Sequence, residues 1–180
     1  QVARLFSADV DRVRTDMIPG TAVGLVPLEV PRLGRTVGIA DVICFEVAYD
    51  AIVRDAVAAG GEILVVQTNN ATFGRSDEST QQLAMSRLRA IEHGRATIQI
   101  STVGVSAFIS PNGVVTQQTA LFTAAQMIGS LPLHTSLTPA TRFGSGVSWA
   151  LSGLAVAMII SGAAGAARVR RPMREVHRAD

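Results

Sequence analysis

The single cysteine, Cys44, is the side chain best suited to covalent chemistry. It lies between a β-branched run and a segment with helical spacing, which predicts a strand, a turn at residues 44–46 and a helix. Backbone N–H groups and the helix dipole favour an anion at such a turn, so a reactive thiolate is favoured there. A thiolate is what nucleophilic catalysis requires. A small hydrophobic residue that closes a buried strand is the alternative interpretation, and spacing alone does not decide between the two.

Three further polar groups are candidates to serve a site built around that thiol. Glu46 follows two residues after Cys44, so its carboxylate can orient a cation or bind a substrate near the same turn. Asn69 follows the second predicted strand, close to where the Cys44 turn should emerge, although its simplest role is to cap a turn. Arg89 and Glu92 are three residues apart on a predicted helix, a spacing typical of solvated charges and also of a side-chain pair.

Composition excludes several other kinds of chemistry. All 16 basic residues are arginine, so this chain cannot supply a lysine amine. One cysteine excludes an internal disulfide framework and a cysteine-rich metal site. His93, His134 and His177 lack the spacing of metal ligands and suit ordinary helix-end, loop and tail positions. We therefore expect no metal and no cofactor.

The elements that must position these residues alternate between strand and helix and then become strand-rich. They are, in order, strand 36–43, helix 47–59, strand 62–67, a helix from a Ser76 cap to Gly94, and strands 97–102, 105–110, 114–119 and 127–133, with a hairpin turn at Pro111-Asn112-Gly113. This order predicts an α+β sandwich rather than a doubly wound parallel sheet.

Charge is divided unevenly along a chain whose 180 residues accommodate one core and one appendage. Residues 1–167 carry 11 Arg and 12 acidic residues, whereas residues 168–180 carry 5 Arg and 2 acidic residues. The body therefore lacks the positive face that nucleic-acid binding needs, and no nucleic-acid partner is expected.

A long uncharged segment predicts a membrane helix. Residues 143–167 are 25 consecutive residues without a charge. As a helix they extend about 37 Å, which exceeds the roughly 30 Å of a bilayer's hydrocarbon core. The arginines of the basic tail, residues 168–180, are expected in the cytoplasm by the positive-inside rule, and the preceding body outside it.

Several spaced motifs together resemble one known family. They are Ile43-Cys-Phe-Glu46, Asn69-Asn-Ala-Thr-Phe-Gly74, Gln82-Leu-Ala-Met-Ser-Arg-Leu-Arg-Ala-Ile-Glu-His-Gly-Arg95, Gly104-Val-Ser106 and Pro111-Asn-Gly113. In this order, from about Asp11 to Leu133, the chain is similar to the nitrilase-like domain of apolipoprotein N-acyltransferases, particularly actinobacterial ones.

The resemblance implies a fold and a location. Residues 1–140 would form the C-terminal half of a nitrilase-like (carbon–nitrogen hydrolase) α-β-β-α sandwich outside the cytoplasm. Residues 143–167 would form one transmembrane helix in the plasma membrane, and residues 168–180 a basic cytoplasmic tail.

The resemblance also implies a reaction. In the family a cysteine thiolate attacks a phospholipid ester, and the resulting thioester passes its acyl chain to the α-amino group of a diacylglyceryl lipoprotein. Cys44 matches the nucleophile, Glu46 matches the glutamate two residues later, and Phe45 stands where the family often has tyrosine. The resemblance further favours Arg89 and Glu92 as a buried pair that supports the site.

The family's first catalytic glutamate and its lysine come from the half of the domain that precedes Asp11. We therefore expect this chain alone to be inactive and to need an upstream half, in the same or a separate polypeptide. A segment of a longer enzyme, half of a split enzyme and a decayed remnant all fit the sequence. The alternative functions are a nitrilase- or amidase-type hydrolase, in which water resolves the thioester, and an inactive membrane-anchored interaction module.

Overall fold

A six-stranded sheet forms the body of the protein. The computed structural model describes residues 20–170, with side chains as far as residue 163. The strands lie side by side in chain order: β1 (Leu25–Val30), β2 (Arg35–Ile43), β3 (Ile63–Thr68), β4 (Thr97–Ser101), β5 (Ala107–Ile109) and β6 (Val115–Gln118). The three central strands β2, β3 and β4 are parallel, and the other neighbouring pairs are antiparallel.

Two helices connect the parallel strands, since parallel neighbours need a crossover connection. Helix α1 (Asp50–Ala58) joins β2 to β3, and helix α2 (Glu78–His93) joins β3 to β4. The main core consists of small and branched apolar side chains without solvent exposure from β2, the turn after it, α1 and β3: Ala40, Val42, Val47, Val53, Ala56, Val57, Leu64 and Val66. The mixed sheet with its helices confirms the α+β prediction.

The two faces of the sheet differ in their cover. Side chains alternate between the faces along each strand. Leu64, whose face packs against the core, has no exposed area, whereas Ile43 and Ile100 are 57% and 51% exposed. Within residues 20–170 the helices therefore cover one face and leave Ile43 and Ile100 on the other largely in solvent.

The first helix begins later than predicted. A 3-10 turn covers Cys44–Ala48, Tyr49 is extended, and α1 starts only at Asp50. The cause lies in α2, because the Arg89 guanidinium takes the carbonyl oxygens of Val47 and Ala48, which a continuous helix would use for its own hydrogen bonds.

Helix α2 confirms one predicted boundary and corrects the other. It ends at Gly94, which adopts the left-handed conformation with φ 60°. The predicted Ser76 cap is wrong: the helix begins at Glu78 after Asp77, and the Ser76 N–H instead donates to the Phe73 carbonyl in a preceding turn.

The strand-rich region is partly as predicted. The Pro111-Asn112-Gly113 turn joins β5 to β6 in a hairpin, with Gly113 at φ 79°. The predicted strand at residues 127–133 is wrong: this segment is irregular, and its contact with β6 includes a side-chain bond from Gln117 Nε2 to the Ile128 carbonyl. Strand β1 was not predicted, since Pro27 and the exposure of its side chains at the sheet edge obscure its pattern.

Two helices end the described chain. Helix α3 (Pro139–Phe143) is short, and helix α4 (Gly146–Arg170) follows it. The segment Gly146–Ala163 has a mean hydropathy of 1.6, is not buried against the body, and is long and apolar enough to cross a membrane. The first 19 residues of the predicted domain 1–140, the tail beyond Arg170 and His177 lie outside the described residues.

Candidate active site

Cys44 occupies a special backbone position at the end of β2. It is the first residue of the 3-10 turn, its side chain is half-buried, and its φ is 51°. This left-handed conformation costs a non-glycine residue about 1–2 kcal/mol. Such outliers concentrate at functional sites, where the surrounding structure holds them in place. The backbone therefore singles out Cys44 independently of its thiol.

An open cleft of about 580 Å³ lies beside Cys44. The carboxyl ends of the three parallel strands meet there, which is where α/β sheets commonly bind ligands. Its walls come from the ends of β2, β3 and β4 and the loops that follow them: Ile43, Cys44, Gln67, Thr68, Asn69, Ile100, Ser101 and Thr102. Ile43 and Ile100 are its apolar lining side chains, and the other lining residues bring polar groups to it.

Glu46 holds the turn that carries Cys44. Its Oε2 accepts a hydrogen bond of 2.8 Å from the backbone N–H of Ile43, so the carboxylate folds back onto the last residue of β2. Glu46 lines a neighbouring hollow of about 410 Å³, together with Asp41 and Asp55. Ile43 borders both spaces, and Cys44 and Glu46 therefore face different sides of the same turn.

Two aromatic rings stand beside the turn. Phe45 and Tyr49 pack edge to face, with ring centroids 6.2 Å apart and an interplanar angle of 84°. Both remain 49% and 59% exposed, respectively. This pair gives the surface next to Cys44 an apolar character.

The loop after β3 supplies one wall of the cleft. Asn69 Oδ1 accepts hydrogen bonds from the Ala71 N–H at 3.1 Å and from Thr102 Oγ1 at 2.8 Å. It therefore ties the loop after β3 to the loop after β4, and both loops border the cleft. Asn69 lies in the same cleft as Cys44.

Asn70 points inward instead, and sequence reasoning missed its role. Its side chain is buried, donates to Gln82 Oε1 at 2.8 Å and accepts from Ser101 Oγ at 2.6 Å. Gly104 packs against the same group, because a Cβ there would lie 2.5 Å from Ser79 Oγ. This polar network supports the cleft wall from behind.

A signal for this network was present in the sequence. Along α2, polar side chains recur at the three- and four-residue intervals that place residues on one helix face. The structure buries all of them: Ser79, Gln82, Ser86, Arg89 and His93. A helix face that is polar and buried indicates a hydrogen-bonded interior rather than a solvated surface.

Arg89 and Glu92 form a pair behind the Cys44 turn. The Arg89 side chain is buried, and it donates to the carbonyls of Val47 and Ala48 at 2.9 Å each. The same guanidinium pairs with Glu92 and lies 3.4 Å from Asp50 Oδ1. Arg89 therefore holds the chain three to four residues after Cys44 against α2.

His93 is buried next to this ion pair. Its Nδ1 lies 3.0 Å from Thr141 Oγ1 of α3, and its Nε2 has no hydrogen-bond partner among the residues described. Burial, reinforced by the nearby Arg89 charge, lowers the pKa of His93 to about 4, so the ring is neutral at pH 7. Asp50, Glu92 and His93 lie within 4.8 Å of one another, and the Arg89 guanidinium already balances both carboxylates.

The chain is similar to known proteins over most of its length. Residues 8–136 match the carbon–nitrogen hydrolase family. The apolipoprotein N-acyltransferase of Mycolicibacterium smegmatis is 40% identical over 144 residues, which are 79% of this chain and 23% of the relative. The enzyme of the same name from Azotobacter vinelandii is 36% identical over 121 residues, 67% of this chain and 23% of the relative. The chain thus spans about a quarter of the length of these curated relatives.

Solved structures with a similar backbone include an amidase from Nesterenkonia sp. The match has a TM-score of 0.48 and 19% sequence identity, and it covers 60% of this chain and 41% of the amidase.

Proposed function

Because the chain belongs to the carbon–nitrogen hydrolase family, we propose that it is the nucleophile-bearing part of an apolipoprotein N-acyltransferase. One observation carries the proposal. Cys44 is held in a left-handed turn at the end of a central parallel strand, beside a cleft at the carboxyl ends of β2, β3 and β4. The names of the most similar relatives supply the reaction.

The proposed reaction has two steps. A general base takes the Cys44 proton, and the thiolate attacks the ester carbonyl of a phospholipid. A C–S bond forms, the C–O bond breaks, and the base returns the proton to the departing lysophospholipid oxygen, so the alcohol leaves. The α-amine of a diacylglyceryl lipoprotein then attacks the thioester. A C–N bond forms, the C–S bond breaks, and the base passes the amine proton to the departing Cys44 sulfur, which regenerates the thiol.

Other residues of the turn have supporting roles in this proposal. Glu46 fixes the turn through the Ile43 N–H, and Arg89 with Glu92 fixes its far end through the carbonyls of Val47 and Ala48. Phe45 gives an apolar surface to an acyl chain, and Asn69 keeps the opposite wall in place. Fixed geometry matters, because correct placement of reacting groups supplies much of the rate enhancement in enzymes.

We infer that a second layer of the enzyme covers the uncovered sheet face. Apolar side chains there are half exposed, as in Ile43 and Ile100, and exposed apolar area of this kind is costly in water. The general base and the lysine that stabilises the oxyanion would come from that layer, since this chain has no lysine. The layer would be an upstream half, in the same or a separate polypeptide.

The apolar helix favours acyl transfer over hydrolysis of small amides. Lipid substrates reside in a membrane, and α4 is long and apolar enough to anchor the site beside them. In the proposed topology α4 crosses the plasma membrane, and the body lies on the side away from the cytoplasm. The arginines of the basic tail, residues 168–180, lie on the cytoplasmic side.

Replacement of Cys44 tests the proposed function. In the assembled enzyme, we expect phospholipid to acylate the wild-type chain through a hydroxylamine-sensitive thioester, and Cys44→Ala to abolish both the thioester and N-acylation of a lipopeptide. Ser76→Ala, in an exposed turn, serves as the matched control and should retain both.

Two outcomes would contradict the proposal. Undiminished lipopeptide N-acylation by Cys44→Ala would show that Cys44 is not the nucleophile. Release of ammonia from small amides without N-acylation would assign the cleft to a hydrolase instead. This chain without the upstream half should form no acyl-enzyme, and labelling of Cys44 by radioactive palmitoyl phospholipid in that sample would contradict the need for a second layer.

A further inference from the structure

The last turns of α2 contact two different parts of the protein. Toward β2, Arg89 donates through Nε to the Val47 carbonyl and through Nη2 to the Ala48 carbonyl, both at 2.9 Å. The Arg89 side chain is only 10% exposed. These bonds fix the chain that continues directly from the Cys44 turn.

Toward the C-terminus, the same turns of α2 hold α3. His93 is fully buried, and its Nδ1 lies 3.0 Å from Thr141 Oγ1. Thr138, the cap of α3, donates through Oγ1 to the Glu92 carbonyl at 2.6 Å and accepts from the Thr141 N–H at 3.1 Å. A buried hydroxyl and a buried imidazole thus join α3 to α2.

Helix α4 leaves the body directly after this junction. Gly144 separates α3 from α4 with φ 49°, and a Cβ there would lie 3.1 Å from Arg54 Cδ of α1. The apolar segment of α4 is not buried against the described body. The position of α4 relative to the sheet therefore depends on α3 and on the side chains that hold α3.

Glu92 connects the two sets of contacts. Its carboxylate pairs with Arg89, its backbone carbonyl accepts from Thr138, and its Oε2 lies 3.8 Å from His93 Nε2. Arg89 and His93 are four residues apart, which is about 6 Å along a helix axis. The support of the Cys44 turn and the support of the membrane helix are consequently one short stretch of one helix.

We propose that Arg89, His93 and Thr141 are positioning residues that together set the height of Cys44 above the membrane surface. The inference rests on the proposed function, because it takes α4 as the membrane anchor and Cys44 as the nucleophile. The junction of α3 with α2 fixes the anchor, Arg89 fixes the nucleophile turn, and Glu92 links them. The thiol then meets the ester of a lipid that stays in its bilayer.

The first experiment compares Thr141→Val in two environments. This variant keeps the shape of the side chain and removes the hydroxyl that faces His93. In liposomes we expect the rate of acyl-enzyme formation to fall about tenfold or more, since small misplacements of reacting groups have effects of this size. In detergent micelles with a dispersed short-chain phospholipid, where height above a bilayer has no meaning, the rate should stay within about twofold of wild type.

Matched variants complete this experiment. Thr141→Ser retains the hydroxyl and should restore the rate in liposomes. Thr116→Val removes an exposed hydroxyl that bonds to the Phe108 carbonyl, far along the chain from the junction, and should have no effect in either environment. An equal loss for Thr141→Val in liposomes and detergent would show a merely structural role and overturn the proposal.

The second experiment tests the contact between α2 and the Cys44 turn separately from the contact between α2 and α3. Arg89→Gln should lower the rate in both environments, because it releases the Cys44 turn itself. Arg87→Gln is its control: Arg87 lies on the same helix and also donates through Nε to a carbonyl at 2.9 Å, but that carbonyl belongs to Gly113 of the hairpin. Similar rates for Arg89→Gln and wild type would overturn the assignment of Arg89.

A spectroscopic measurement keeps this inference distinct from the proposed function. Cys44 is the only thiol of the chain, so a spin label on it, with a cysteine-free upstream half, reports its depth in liposomes without any acyl transfer. We expect one narrow depth distribution for wild type and a broader or shifted one for Thr141→Val. An unchanged distribution overturns the inference, whereas failure of the proposed function appears separately, as retained activity in Cys44→Ala.

Discussion

The two faces of the central sheet differ in how completely their apolar side chains are buried. On the helix-covered face, Val42 and Val66 are paired across β2 and β3 and have no exposed area. On the opposite face, Ile43, Gln67 and Ile100 lie side by side on β2, β3 and β4, and both isoleucines are more than half exposed. One face has its packing partners within residues 20–170, and the other presents apolar side chains that need a partner.

This difference indicates on which face of the sheet the candidate site lies. The cleft beside Cys44 includes Ile43, Gln67 and Ile100, so it opens on the uncovered face. The covered face and α2 hold the cleft wall from behind, through Asn70 and Arg89. The second layer proposed above would meet the thiol from the uncovered side. Four changes test this division between a supporting face and a receiving face.

The largest effect is expected from the covered face. Leu64→Ala removes a side chain without solvent exposure from the main core, and the lost burial and the cavity cost about 2–5 kcal/mol of unfolding free energy. Urea denaturation followed by circular dichroism measures the loss. Ile100→Ala, on the next strand but the uncovered face, is the matched control and should lose much less; equal losses would erase the distinction between the faces.

The second effect concerns the polar support of the cleft wall. Gly104→Ala places a Cβ 2.5 Å from Ser79 Oγ and 2.6 Å from Ser101 Oγ, and also against Asn70 Oδ1. Overpacking of this kind costs about 1–3 kcal/mol. Gly20→Ala, whose Cβ would meet no heavy atom within 4 Å, provides the comparison in the same denaturation assay. If both variants were equally stable, the network would be looser than its geometry indicates.

The third effect is a pH dependence of the free energy of unfolding, which arises from His93 on the covered side. The folded protein keeps His93 neutral down to a pKa of about 4, whereas the unfolded chain takes up a proton near 6.5. The free energy of unfolding should therefore decrease as the pH falls from about 6.5 toward 4. Urea denaturation at several pH values measures the slope. His93→Gln should flatten it, and an unchanged slope in this variant would show that other groups carry the pH dependence.

The smallest effect on stability is expected from the uncovered face. Ile100→Thr keeps a β-branched residue in β4 and exchanges an exposed ethyl group for a hydroxyl, so stability should change by about 0.5 kcal/mol or less. The same change should weaken binding of the proposed upstream half in a co-purification assay. Unaltered binding would argue that another surface receives the second layer.

Much of this fold follows from local patterns in the sequence. The β-branched runs at β2 and β3 and the helical spacing of α2 predict buried strands and a crossover helix, and Gly94 marks the end of α2. The errors arise where local pattern is weak or misleading. Residues 127–133 carry apolar side chains but form no strand of the described sheet, and Ile128 is 80% exposed. Helix α1 is shortened because the distant Arg89 guanidinium binds two backbone carbonyls.

The site was predictable only in part for the same reason. The position of Cys44 between a strand and a helical segment is visible in the sequence, as is the nearby Glu46. The inward direction of Asn70 and the bond between His93 and Thr141 depend on packing across 12 and 48 residues of chain, which spacing does not encode. The polar buried face of α2 is the one sequence signal that connects them.

The backbone conformation of Cys44 puts the stability of the turn in conflict with the presence of the thiol. Glycine adopts the left-handed conformation without strain, so Cys44→Gly should stabilise the turn while removing the sulfur. The substitution that relaxes this turn most directly is therefore one that would end the proposed thiol chemistry. In a relative, glycine at this position would indicate a more stable turn that has lost the acyl-transfer step.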